Sequence, residues 1–168
     1  MYKRQDVSNT ARILDILSAA EAHATFFLVG NKAHRHTGLV REIHGRGHQI
    51  ANHGFAHRNA RRCTVKEIVE DVEQTQVVLE DIVGTVLKRD FRPPYGAVTP
   101  ASFLALTRRG YRYVFWSIDS RDYATQSADE TFANVAVLKI TACNTSFQSQ
   151  TTSVFDFKGE DQRDQADN

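Results

Sequence analysis

His53 and His57 stand four residues apart in the run Asn52-His53-Gly54-Phe55-Ala56-His57. Imidazole nitrogen suits zinc and other divalent first-row ions, and two such side chains can share one ion. On a helix, positions i and i+4 lie on one face, but Gly54 directly after the first histidine favours a loop or the opening of a helix. The alternative is a surface or hydrogen-bonded pair without a metal. A catalytic ion typically takes three protein ligands and keeps a position for water, so a carboxylate is also needed. Asp119 and Asp122 are the candidates; ion pairing or helix capping is the alternative for each. All seven histidines fall between His23 and His57, and none follows. His23, His34, His36, His44 and His48 share no spacing with a partner and read as surface or structural.

Arg92-Pro93-Pro94-Tyr95-Gly96 is a second constellation. Proline has no N–H, so Tyr95 and Gly96 supply the first amides after the pair. A stiff loop with outward amides can hold an oxyanion, and an arginine can clamp a carboxylate with two hydrogen bonds. A plain turn between strand and helix is the other reading. The third is Trp116-Ser117-Ile118-Asp119-Ser120-Arg121-Asp122-Tyr123, an aromatic strand running into two carboxylates. It suits a sugar-lined groove, or else Trp116 is core.

The elements that must position these residues alternate. Ser8 or Asn9 can cap a first helix with Ile13, Leu14, Ile16 and Leu17 on its inner face. Ala24–Val29 is a continuous apolar run, the mark of a strand buried on both faces, and Gly30 ends it. A short helix over 38–44 leads through Gly45 and Gly47 to a strand at 48–52. Thr64 and Glu67 form a capping box that opens a long helix closed by Gly84. Thr99-Pro100 opens another, ended by Gly110. Tyr111–Ile118 reads as a strand, and Ser127–Glu130 opens a helix over 131–138. Strands alternating with helices predict parallel βα units in an open sheet or barrel, with functional residues at the carboxyl ends of the strands.

Composition narrows the classes. The chain has 168 residues with 21 basic and 20 acidic side chains, a net charge of +1. One domain is expected, and neither the charge nor any Lys/Arg run supports a nucleic-acid partner. No apolar stretch approaches the roughly 18 residues of a membrane-spanning helix. Cys63 and Cys143 form neither a CxxC pair nor a disulfide framework. After Ile140, 17 of the last 28 residues are Ser, Thr, Asn, Gln or Asp, and only Val154, Phe155 and Phe157 could anchor an element.

In order, ATFFLVG, GHQIANHGFAH, FRPPYG and WSIDSRDY resemble the NodB-homology polysaccharide deacetylases, carbohydrate esterase family 4, over about residues 6–139. The resemblance implies an α/β fold, an incomplete distorted (β/α) barrel of the NodB-homology type, and metal-dependent removal of N-acetyl groups from amino-sugar polymers. It implies a divalent metal, zinc by the donor set, on His53 and His57. Arg92 then orients the catalytic base, the Tyr95 amide donates to the oxyanion and Asp119 holds Arg92. Trp116, Asp122 and Tyr123 line the groove, with Tyr123 where the family has Trp. The partner is an acetylated polysaccharide or oligosaccharide, such as chitin or peptidoglycan, and the family is often exported or in the cell envelope; no signal peptide is visible.

Two family motifs have no counterpart. Thr-Phe-Asp-Asp-Gly, ahead of the first helix, supplies the base and the third metal ligand; Leu-x-His supplies the acid. Met1–Gln5 back-translate to the end of a transposase sequencing adaptor and read as a non-native scar. Residues 6–139 read as a partial NodB-homology domain, and 140–168 as a polar tail, disordered or frame-shifted. A degenerate paralogue is the alternative. The expectation is a chain without deacetylase activity, or a glycan-binding pseudoenzyme, whose missing first strand leaves a sheet edge open.

Overall fold

A computed structural model describes residues 5–116 and 153–156 of the chain. The apolar run Ala24–Leu28 forms strand β1, buried at every position, as a strand covered on both faces must be. The sheet is parallel, in the order β4-β3-β2-β1-β5, where β2 is Gln49–Asn52, β3 Asp90–Phe91, β4 Arg112–Tyr113 and β5 Ser153–Asp156. Helix α1 (Gln5–Ala19) precedes β1, and α2 (Gly30–Arg35) with α3 (Thr37–Gly45) joins β1 to β2. Helix α4 (Val65–Val83) joins β2 to β3, and α5 (Pro100–Thr107) joins β3 to β4. All of these elements belong to one unit of the chain. No helix among the described residues is long and apolar enough to cross a membrane.

Local chemistry explains most boundaries. The Thr64 hydroxyl accepts from the Glu67 amide while the Glu67 carboxylate accepts from the Thr64 amide, and Gly84 closes α4 at φ 72°. Hydrogen bonding to Thr64 holds the Glu67 carboxyl below its ordinary pKa. Thr99 and Ser102 make the same reciprocal pair around Pro100 at the start of α5. Three expectations need correction. Helix α1 begins at Gln5, ahead of Ser8 and Asn9, because capping propensity is a weak prior against a continuing ladder. Gly30 opens a helix rather than merely ending a strand. A Cβ there would lie 2.7 Å from the Phe55 ring and 2.8 Å from Thr75 Oγ1, so only glycine lets α2 pack this closely. The edge of β1 away from β2 is not open: β5, from the polar tail, pairs with it from Ala24↔Ser153 to Phe27↔Asp156. The helix expected over 131–138, Cys143, and residues 1–4, 117–152 and 157–168 lie outside the described residues.

Strand alternation separates two faces. Phe26, Leu28 and Ile50 pack with Leu14, Leu17, Val40, Ile43, Leu79 and Ile82 in the layer between sheet and helices. A second cluster gathers Ile68, Val69, Val72, Phe91, Leu106 and Tyr111 around α4 and α5. The opposite face is polar and ordered in rows. Thr25 Oγ1 donates to Gln49 Oε1 (3.2 Å), and Gln49 Nε2 donates to Asp90 Oδ2 (2.8 Å). Arg112 then grips Asp90 with Nε at 2.7 Å and Nη2 at 2.9 Å. This ladder crosses β1 to β4. Two residues further along, Phe27 and Arg92 meet, with the guanidinium 4.0 Å from the ring centroid. Continuing the alternation from Gln49 through Ala51 brings His53 to the same face.

At the amino end of the sheet lies a buried histidine of another kind. His48 Nδ1 accepts the Ala24 amide (3.4 Å), and the ring packs 5.3 Å from Phe26 and 6.1 Å from His23. Burial, then the neighbouring His23 and Arg46, push its pKa below the ordinary 6.5. The folded state therefore binds its proton less readily than the unfolded chain. Stability is complete above the ordinary histidine range and falls as pH drops through about 6.5. Urea unfolding from pH 7.5 to 5 should show this fall in the wild type, and His48→Asn, which keeps an acceptor for Ala24, should flatten it. An unchanged slope in the variant would assign the loss to other groups.

Candidate metal centre

The carboxyl ends of β1, β2 and β3 converge on the loop that follows β2. The parallel ladder runs one step past the strands, with the His53 amide donating to the Leu28 carbonyl (3.1 Å) and the Arg92 amide to the Asn52 carbonyl (2.9 Å). His53 is 1% exposed, and its Nδ1 lies 2.7 Å from the Arg92 carbonyl oxygen. A carbonyl only accepts, so the proton sits on Nδ1 and the lone pair is carried by Nε2. That arrangement, a ring N–H tied to a carbonyl, is what orients metal-binding imidazoles.

His57 completes the pair. Its ring centroid lies 4.9 Å from that of His53 at 72°, and 4.8 Å from that of Tyr95 at 67°. The link between the histidines is a loop, not a helix, as Gly54 suggested. Gly54 (φ 76°) and His57 (φ 54°) are both left-handed. The Gly30 and Asn31 amides at the start of α2 donate to the Gly54 and Phe55 carbonyls (2.9 and 3.1 Å). The donor set fits a divalent first-row ion: two imidazoles side by side, one with its Nδ1 turned to a carbonyl. Among the described residues, no group of three or more His, Cys, Asp or Glu could hold an ion.

Arg92 is 2% exposed, stacked on Phe27, with Nε and Nη2 each 3.4 Å from the carbonyls of Val114 and Phe115. After it Pro93 and Pro94 turn the chain into a single 3₁₀ turn closed by the Gly96 and Ala97 amides on the Pro93 and Pro94 carbonyls. Gly96's amide is thus committed to the turn, which corrects the expectation that both it and Tyr95's point outward. Tyr95 sits at φ 59° with a half-exposed ring against His57. Of the strand expected over 111–118, only Arg112–Tyr113 form one among the described residues, and the aromatic run is not all core. Tyr113 packs between Phe103 (5.0 Å) and Phe115 (6.3 Å), with its phenol pKa raised by burial, while Phe115 and Trp116 are 49% and 43% exposed. Asp119, Asp122 and Tyr123 lie outside the described residues.

The family profile described as "Polysaccharide deacetylase" matches residues 2–114. The chain belongs to the polysaccharide deacetylase family. It is 33% identical over 130 residues to a peptidoglycan-N-acetylglucosamine deacetylase of Bacillus cereus, covering 77% of this chain and 47% of that one. It is 35% identical over 116 residues to a chitooligosaccharide deacetylase of Azorhizobium caulinodans, covering 69% and 55%. The structure of peptidoglycan deacetylase PdaC from Bacillus subtilis superposes with a TM-score of 0.71 at 25% identity, covering 77% and 62%. The chain therefore spans about half the length of these curated relatives. The parallel βα sheet described here is part of the (β/α)-barrel fold of this deacetylase family.

Within this family member, spacing and loop chemistry single out His53, His57, Arg92 and Tyr95, and the fold gathers all four at one end of the sheet. Asn52 and Asp71 escaped notice. Asn52 is fully buried, accepting the Gly54 amide and donating to the Val72 carbonyl and Gln76 (2.9, 2.8 and 3.4 Å). Its only sequence signal was its place beside His53 at a strand end. Tyr95 allows a direct check on the turn. A non-glycine residue in left-handed conformation costs about 1–2 kcal/mol, and its half-exposed ring returns little of that by burial. Tyr95→Gly should hold or raise stability by up to about 1 kcal/mol in urea unfolding, whereas Tyr95→Val should lower it. A destabilised glycine variant would show that the ring contact with His57 outweighs the backbone.

Proposed function

We propose that this chain carries the metal- and acetamide-holding part of a site for N-acetylated amino-sugar polymers, chitin-like or peptidoglycan. His53 and His57 hold a divalent ion, zinc by donor preference. The observation that carries the reading is the buried His53 ring with its Nδ1 proton donated to the Arg92 carbonyl and its lone pair on Nε2, beside His57. Bound there, the ion supplies Lewis acidity toward an acetamide carbonyl and toward water. Arg92, locked by Phe27 and the Val114 and Phe115 carbonyls, presents a fixed positive charge that orients a carboxylate. By the family resemblance Asp119, outside the described residues, is the residue assigned to hold this arginine. The Tyr95 amide donates to the acetamide oxygen as negative charge develops on it. Trp116, Asp122 and Tyr123 border the sugar.

Turnover needs more than this. A catalytic zinc takes three protein ligands, and among the described residues no third stands with the histidine pair. A second reading is that the chain holds metal and glycan without hydrolysis. Calorimetric titration with zinc should show binding to the chain and none to the His53→Ala/His57→Ala variant. Acetate release from chitooligosaccharides should be lower by several orders of magnitude than a general acid and base would give. Zinc binding that survives the double substitution contradicts the metal assignment; acetate release at enzymatic rates contradicts the non-hydrolytic reading.

A further inference from the structure

Strand β5 does more than cover the edge of β1. Its register pairs Ala24 with Ser153, Thr25 with Val154, Phe26 with Phe155 and Phe27 with Asp156. Residues paired in register across parallel strands fall on one face of the sheet. Phe155 is thereby placed in the row of Phe26, which is buried in the layer between sheet and helices. Asp156 is placed in the row of Phe27, on the opposite, polar face. A slip of one residue would exchange the two, taking a carboxylate into the apolar layer and a phenylalanine onto the polar face. The alternation Phe155-Asp156 thus holds β5 to the register observed.

Asp156 is also the last residue of β5. It therefore stands at the carboxyl ends of the strands, the side of the sheet on which His53 follows β2 and Arg92 follows β3. Adjacent strands lie about 4.8 Å apart. Phe27, one such step from Asp156, is the residue on whose ring the Arg92 guanidinium lies, 4.0 Å from the centroid. We propose, on the reading that Arg92 orients a carboxylate beside the histidine pair, that Asp156 is that carboxylate, brought to the site by the tail strand. An arginine fork and a carboxylate match in geometry as well as charge. An ionised aspartate held in this way keeps acceptor capacity for a water or hydroxyl group at the site. The site then draws on both ends of the described chain, because the strand that carries its acidic group follows the histidines by about a hundred residues.

Magnetic resonance of the Arg92 guanidinium tests the pairing directly. In the full chain, the Arg92 Nε and Nη protons should show Overhauser contacts to the Asp156 methylene. Asp156→Asn should move the Arg92 Nε resonance and speed exchange of its proton with water about tenfold or more, as loss of a charge-assisted bond requires. Glu160→Gln, in the same tail but past β5, should leave both unchanged. In urea, Asp156→Asn should lower the unfolding midpoint of the wild type and shift it little in an Arg92→Met background. Equal shifts in the two backgrounds overturn the assignment. Arg92 signals that answer Asp119→Asn but not Asp156→Asn overturn it too, as does a wild type without the Overhauser contacts. Should a variant fail to fold, those wild-type contacts decide. A wild-type chain that binds no zinc contradicts the metal reading of the histidine pair, whereas the Arg92–Asp156 pairing stands or falls on the resonance data alone.

Discussion

A single hydrogen bond, from His53 Nδ1 to the Arg92 carbonyl at 2.7 Å, ties the two constellations of this protein together. It joins the loop after β2 to the loop after β3 and settles which nitrogen of a buried imidazole carries the proton. It also exists only if the strands are parallel and in register. The pairing Asn52↔Phe91 and the bond from the Arg92 amide to the Asn52 carbonyl set His53 and Arg92 side by side. Parallel βα architecture brings successive strand ends to one side of the sheet, and here that side collects the imidazoles, the guanidinium and the rigid turn.

The sheet's polar face makes that geometry stiff. Thr25, Gln49, Asp90 and Arg112 form a hydrogen-bonded row across four strands, with the Asp90 carboxylate buried and Arg112 reaching it from an exposed position. Bidentate bonding raises the Arg112 pKa. Above the row, Arg92 lies on Phe27, so a cation is held away from water by an aromatic face and two carbonyls. A buried charge without such partners would cost several kcal/mol. On the helix side, α4 contributes more than apolar packing. Asn52 bonds to Val72 and Gln76, and Asp71 bonds to Phe55, Ala56 and Arg58, so one helix grips the strand end and the loop beyond it.

The parts legible in the sequence are those with a local cause. The apolar run of β1, the Thr64–Glu67 box, Gly84, and the Thr99-Pro100 start all act within a few residues, and the fold follows them. Gly54 correctly argued for a loop between His53 and His57. What escaped were contacts between residues distant in the chain. Helix α2 depends on Gly30 fitting against Phe55 and Thr75, and no neighbouring residue announces that. The strand β5 comes from a polar tail with weak strand character, and it lies along β1 by backbone pairing across more than a hundred residues. Asp71 sits on a helix among other acidic residues, and nothing in its spacing distinguishes it from a solvated carboxylate. Four motifs in family order carried the functional reading further than any one constellation did.

The tautomer of His53 is the most direct test of this account. A long-range proton–nitrogen correlation spectrum of the imidazoles near pH 7.5 should show His53 protonated at Nδ1, with Nε2 bare. Added zinc should move the Nε2 resonances of both His53 and His57. A His53 ring protonated at Nε2, or zinc that leaves these nitrogens unmoved, would contradict the metal centre built on that bond.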